Sequence, residues 1–306
     1  MTGRWPLADG EDRGVWQQIF NFDHYGDLLA LVHNSLLAGA LLGLVGGLVG
    51  VFVIMRDLPF AVHGISELSF AGASAALLLG LNIVAGSIVG SLLAAAAIGI
   101  LGVRARDRNS IIGIIMPFGL GLGVLFLSLY KGRAANKFGI LTGQIIAVDT
   151  PQMAWLVGTS VVVLIALAVV WRPLTFASAD PEVAEARGVP VRALSLAFML
   201  ILGLAVALCV QIVGALLVLA LLVTPAAAAA RITASPVLLP VLSVAFALVA
   251  MEGGILLALG SAVPISPYVT TVSFLIYLGC RLASTRRATK VAPMALPAGQ
   301  QPVAGV

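Results

Sequence analysis

Charge is scarce in this sequence. Of 306 residues only 10% are Asp, Glu, Lys or Arg, against 60% hydrophobic, and the mean hydropathy is +1.11. A soluble domain carries roughly 25% charged residues, so the composition excludes an ordinary soluble protein and leaves a polytopic membrane protein. Cysteine is almost absent. Cys209 and Cys280 lie in separate apolar stretches without CxxC spacing, which argues against a disulfide or a thiolate metal site and for two small core residues. Aromatic residues are few as well, at 7% beside 33 glycines, a balance suited to tightly packed transmembrane helices. The sequence has no GxxxxGK[ST] phosphate loop, so it does not bind ATP by that route. It has no HExxH and no GxSxG elbow, and thus no zincin or α/β-hydrolase signature. The net charge of +4 sits in short loops and the tail rather than in a patch with interleaved aromatics, so nucleic acid is not implied.

One apolar stretch carries chemistry. Residues 63–80, HGISELSFAGASAALLLG, open with His63 and Glu67 and continue in small and apolar residues. Positions i and i+4 share a helix face, so an imidazole and a carboxylate can be presented to one point. The same face continues through Phe70 and Ser74, while Gly64, Ala71, Gly72 and Ala75 leave a smooth surface for a neighbouring helix. A charged acid at mid-bilayer costs about 2.5–3.5 kcal/mol, so the pair either faces a polar path or closes on itself at the helix start. As ligands, imidazole and carboxylate suit zinc, manganese or iron(II) and do not suit Cu(I).

The rest reads as an all-α array of about nine spans. They fall near 28–55, 59–80, 83–103, 111–130, 153–171, 194–210, 213–230, 236–259 and 266–283. Pro117 and the neighbouring glycines are expected to kink the fourth. The uncharged run 194–230 is too long for one span of about 20 residues, and 211–214 is its natural break. Residues 1–27 lack the basic n-region and cleavage site of a signal peptide and are expected to form an interfacial segment. Residues 28–284 form the transmembrane domain, and 285–306 a disordered tail. The polar segment 172–192 holds a short helix. Ser178 or Asp180 caps it, Pro181 takes its first position, Glu182 its first turn, Glu185 follows, Gly188 ends it and Pro190 blocks continuation. Twelve of the 17 basic residues fall on one side of such an array, which puts the N-terminus outside and the C-terminus in the cytoplasm. Glu252, in VAMEGGIL, is a second intramembrane acid with no partner near it in sequence. It either rests between helices beside Gly253 and Gly254 or, with Ser74, lines a possible pathway.

Five stretches in order resemble the membrane permease subunit of the metal-ion ABC importers. They are MRDLPFAVHGISELSFAGASAALLLG, FGILTGQIIAVD, DPEVAEARGV, VQIVGALLVLALLVTPAAAAARI and FLIYLGCRL. The resemblance spans nearly the whole chain and implies a type II ABC importer permease in the plasma membrane. It implies a homodimer with two ATP-binding subunits and an extracytoplasmic metal-binding protein, carrying zinc by preference, or manganese or iron, with no permanently bound cofactor. Asp180 to Gly188 resembles the helix that docks on the ATPase. The family usually reads Gly-Asp-x-x-Ser-His where this chain reads Val62-His63-Gly64-Ile65-Ser66-Glu67, so the donor pair is kept in reversed order. With both positions filled by ligand-type residues, the resemblance favours a metal stop at His63 and Glu67. The alternative from another class is a proton-coupled carrier using Glu67 and Glu252 as relay groups. Inverted repeats would support it, and the sequence shows none.

Overall fold

The computed structural model describes residues 33–102, 105–132, 150–215, 217–259 and 264–290. The expected interfacial segment 1–27, most of the connector 133–149 and the tail beyond 290 lie outside them. The described residues form helices and no strand: α1 (His33–Met55), α2 (Pro59–Leu79), α3 (Ile83–Leu101), α4 (Ala105–Leu129), α5 (Thr150–Ala179), α6 (Pro181–Ala186), α7 (Val191–Val213), α8 (Val218–Leu222), α9 (Thr224–Ile232), α10 (Leu238–Leu259) and α11 (Ile265–Lys290). Eight are long and apolar enough to cross a membrane, and the interrupted run Val218–Ile232 is a further apolar element.

The expected break at 211–214 falls at Gly214, whose φ of +85° ends α7. The chain beyond this glycine does not form a ninth continuous span. α8 and α9 are separated at Val223, with Pro225 in the first turn of α9. Their fifteen residues reach only about 22 Å even if collinear, so the ninth crossing is an interrupted one running alongside α11, from Val213 beside Ser266 to Arg231 beside Tyr277. Both are packed among α1, α10 and α11, where protein rather than lipid meets the interruption.

Other boundaries also differ from the sequence reading. α5 does not stop at Trp171 but continues through Pro173 to Ala179. Its extra turns carry no exposure penalty, because Leu174 and Ala177 are buried, and Thr175 and Ser178 donate their hydroxyls to the carbonyls of Trp171 and Leu174. α4 passes through Pro117 as one helix, and α11 extends six residues into the expected tail.

Small residues and serines set the packing, as they must where lipid gives helices no hydrophobic reason to associate. Ser69 of α2 meets Ser87 of α3 at 2.7 Å, and Ser243 of α10 donates to the Gly47 carbonyl of α1 at 2.7 Å. At the α2–α3 crossing a Cβ on Gly72 would collide with the Gly86 carbonyl oxygen, so only glycine permits that approach. α2 is thereby held between α3 and α4, while the outer face of α4 leaves Ile114, Phe118 and Val124 exposed, as a lipid-facing surface would. Cys209 and Cys280 are both buried and unpaired.

Candidate functional site

α2 starts at Pro59, whose missing N–H costs nothing at a helix start. His63 is therefore one turn into a helix clamped on two sides. Its Nε2 stands 3.7 Å from Glu67 Oε1, and the two side chains are 30% and 8% exposed. That separation is too long for a hydrogen bond. The pair is thus adjacent without being closed on itself: the imidazole is open on one side, and the carboxylate is buried behind it. His63 Nδ1 is buried and has no hydrogen-bond partner among the described residues. Ser66 turns its hydroxyl back to the His63 carbonyl at 2.8 Å.

α4 presses against this turn. A Cβ on Gly119 would come within 2.9 Å of the Glu67 carbonyl carbon, so the α4 backbone fixes the height of the Glu67 side chain. Ser74 lies two turns further along the same face, fully buried, with an Oγ that has no partner among the described residues. His63, Glu67, Phe70 and Ser74 follow one another along a face of α2.

Glu252 is not brought to it. Its carboxylate faces α1, where a Cβ on Gly39 would sit 3.0 Å from Oε1, and that oxygen has no partner among the described residues. No three His, Cys, Asp or Glu side chains gather in the described residues. The described residues thus offer two donors at this point.

The loop helix α6 forms as the sequence suggests, with the cap resolved in favour of Asp180. Its carboxylate accepts from the Val183 N–H at 3.0 Å, with Pro181 in the first turn. Gly188, at φ +80°, closes the other end while Val189 N–H reaches the Ala184 carbonyl at 3.0 Å. Ala184 is buried against the bundle; Pro181, Glu182, Glu185 and Gly188 are exposed. The helix is anchored on one side and presents an acidic face on the other.

Sequence reasoning missed Arg56. Its guanidinium donates to Ser178 Oγ at 3.3 Å and Ser195 Oγ at 3.0 Å, and lies 5.9 Å from the Phe198 ring centroid. Burial first, and the like charge of Arg108 second, push it below its ordinary value, though a guanidinium stays protonated. An arginine at the end of a span reads only as a topology marker. Its partners lie 122 and 139 residues away, and no local pattern carries that.

An all-helical bundle of membrane-length helices, with a capped acidic helix at one loop and a donor pair inside a clamped helix, has the build of a membrane permease. The chain belongs to the ABC 3 transport family, whose sequence pattern matches residues 29–284. It is a non-catalytic membrane subunit of a metal-ion ABC importer, in which a separate subunit hydrolyses ATP. It is 34% identical to the manganese import system permease protein ScaB of Streptococcus parasanguinis, over 65% of this chain and 71% of that one. It is 25% identical to the high-affinity zinc uptake system membrane protein ZnuB of Haemophilus influenzae, over 76% and 89%. Among solved structures, PsaBC from Streptococcus pneumoniae in complex with Fab aligns with TM-score 0.76 and 28% identity, over 85% of this chain and 95% of that one.

Proposed function

We propose that this chain is the translocation subunit of an ATP-driven manganese importer in the plasma membrane, and that His63 and Glu67 are its ion stop. It works as a homodimer with two ATP-binding subunits and an extracytoplasmic metal-binding protein, its N-terminus outside and its C-terminus in the cytoplasm. The observation that carries the reading is the 3.7 Å separation of an open imidazole nitrogen and a buried carboxylate oxygen in a chain of this family. Metal–ligand bonds of about 2.1 Å would subtend an angle of about 120° at that separation. Closing the pair to about 3.4 Å gives a tetrahedral angle, and to about 3.0 Å an octahedral one. Both are within reach of a side-chain rotation. Two donors per protomer suit a stop that must release its ion, and two protomers would supply four.

The donor types suit zinc, manganese and iron(II) alike, and the sequence resemblance puts zinc first. Relatives at 30% and 34% identity are named for manganese, however, and the one named for zinc stands at 25%. We therefore place manganese first and zinc as its competitor. The exposed face of α6, with Glu182 and Glu185, is the docking surface for the ATPase, and Asp180, Pro181 and Gly188 hold its shape. Both donors bind a cation only when deprotonated, so uptake falls on acidification.

The test is reconstitution in liposomes with the ATPase and the binding protein, following manganese and zinc uptake in competition. ATP-dependent manganese uptake is expected, with none from the permease alone. The Glu182→Lys, Glu185→Lys variant is expected to stay inserted while losing the ATPase. Uptake by the permease alone without ATP would refute the importer reading in favour of the carrier, and zinc outcompeting manganese would refute the ion assignment.

A further inference from the structure

We infer that Arg56 is a positioning residue of the transport cycle, tying both flanks of α6 to the start of the helix that carries His63 and Glu67. This rests on the role proposed above for α6 and α2. Ser178 lies two residues before the Asp180 cap, and Ser195 lies in the first turns of α7 just after α6; one guanidinium holds both, at 3.3 and 3.0 Å. Arg56 itself is joined to α2 by a very short connector. Asp57 sits at φ +53° and Leu58 N–H bonds the Val53 carbonyl at 2.9 Å before Pro59 begins the helix. Such a left-handed non-glycine position persists only where its surroundings impose it, so the connector is stiff rather than slack. The guanidinium also rests on the Phe198 ring, which packs against Phe52 of α1 at 5.8 Å, itself edge-on to Trp171 of α5 at 4.8 Å. Among the described residues α6 packs chiefly against α5 and α7. A push on α6 therefore reaches the very two helices that Arg56 grips.

The chemistry of the grip fits a moving part. Both acceptors are neutral hydroxyls, so a bond can be exchanged without separating an ion pair. The planar fork reaches two acceptors at once, which a lysine ammonium cannot do in the same geometry. Ser178 and Ser195 are ordinary helix residues to the eye, and only this shared partner distinguishes them.

The test uses the reconstituted complex and two readouts. In the first, Arg56→Gln is expected to lower metal delivered per ATP hydrolysed by about tenfold, within the range such coupling networks carry. ATPase co-purification and hydrolysis rate are expected to stay near the parent values. Arg56→Lys falls between, and Ser178→Ala with Ser195→Ala reproduces the Gln variant. An unchanged ratio in Arg56→Gln, or uptake and hydrolysis falling together, overturns the proposal, the latter because it marks a merely structural residue. The second readout needs no metal. Spin labels at Phe60→Cys on α2 and Ala193→Cys on α7, in a Cys209→Ala, Cys280→Ala background and diluted with unlabelled permease so that only one copy per complex is labelled, are expected to keep one narrow distance through nucleotide binding in the parent. That distance is expected to broaden in Arg56→Gln. Identical distributions, or a parent already broad, overturn the proposal. A parent complex that carries no divalent ion refutes the metal reading alone, and the spin-label arm still decides the role of Arg56.

Discussion

Glu67 and Glu252 are both acids within membrane-length helices, and the structure treats them differently. Glu67 has an imidazole nitrogen 3.7 Å away, a serine further along its face, and an α4 backbone that fixes its position. Glu252 has a glycine opposite it and an oxygen without a partner among the described residues. Hydropathy alone ranks the two as equal liabilities. The surroundings separate them: one acid stands 3.7 Å from a second donor, and the other packs against a glycine between two helices. A pair of donors held close but unbonded is what a passing cation can use. A lone acid needs a further donor before it can do the same.

The largest effect that sharpens this contrast is expected at the pair. Glu67→Gln keeps the shape of the side chain and its polarity but removes the anionic donor. Since even residues behind a metal ligand change affinity by about 10–100-fold, manganese uptake is expected to fall by about 100-fold or more, and His63→Ala should match it. Co-purification with the ATPase should be unchanged in both, which separates loss of the site from loss of the fold. Uptake at the parent rate in both variants would make the pair structural and erase its difference from Glu252.

How much of this is legible in the amino-acid sequence depends on the range of the interactions involved. The His63–Glu67 face and the Asp180 cap are contacts within four residues, and a helical period or a capping preference reveals them. The spans emerge from local hydropathy in the same way. The path of α5 past Trp171 does not, because a tryptophan followed by Arg172 and Pro173 looks like a span end. What carries the helix onward is the burial of Leu174 and Ala177 against the bundle. The interrupted α8–α9 run shows the same limit. Its composition is that of a span, and only its neighbours α1, α10 and α11 reveal that protein surrounds the break at Val223. Arg56 is the extreme case, since the serines that give it a role are more than a hundred residues distant.

A smaller effect is expected from exchanging the donors. His63→Asp with Glu67→His restores the order usual in the family while keeping an i, i+4 pair on the same face. Uptake is expected to remain within about tenfold of the parent, as for a ligand set with its inner shell intact and its surroundings disturbed. The manganese-to-zinc preference is the quantity to follow, because the imidazole moves to the buried position and the carboxylate to the open one. A swapped variant as inactive as Glu67→Gln would show that position, not donor type, is what the site requires.

The smallest effect is expected at Glu252, and it bears most directly on the comparison. Glu252→Gln preserves the volume that fits against Gly39, so the α1–α10 seam is kept. If the acid does not meet the ion, manganese uptake should stay within about threefold of the parent, the scale of a packing perturbation of less than about 1 kcal/mol. Glu252→Met goes further and replaces an unpartnered polar end with an apolar chain of similar length. Removing a buried group that lacks a hydrogen bond is worth about 1–3 kcal/mol, so this variant should melt at a higher temperature in detergent while transporting like the parent. The two measurements are independent, one of flux and one of stability. A Gln variant that loses uptake as severely as Glu67→Gln would break the contrast between the acids. It would place Glu252 and the small-residue notch at Gly39 on the route of the ion, with donors supplied from outside the described residues or from the second protomer.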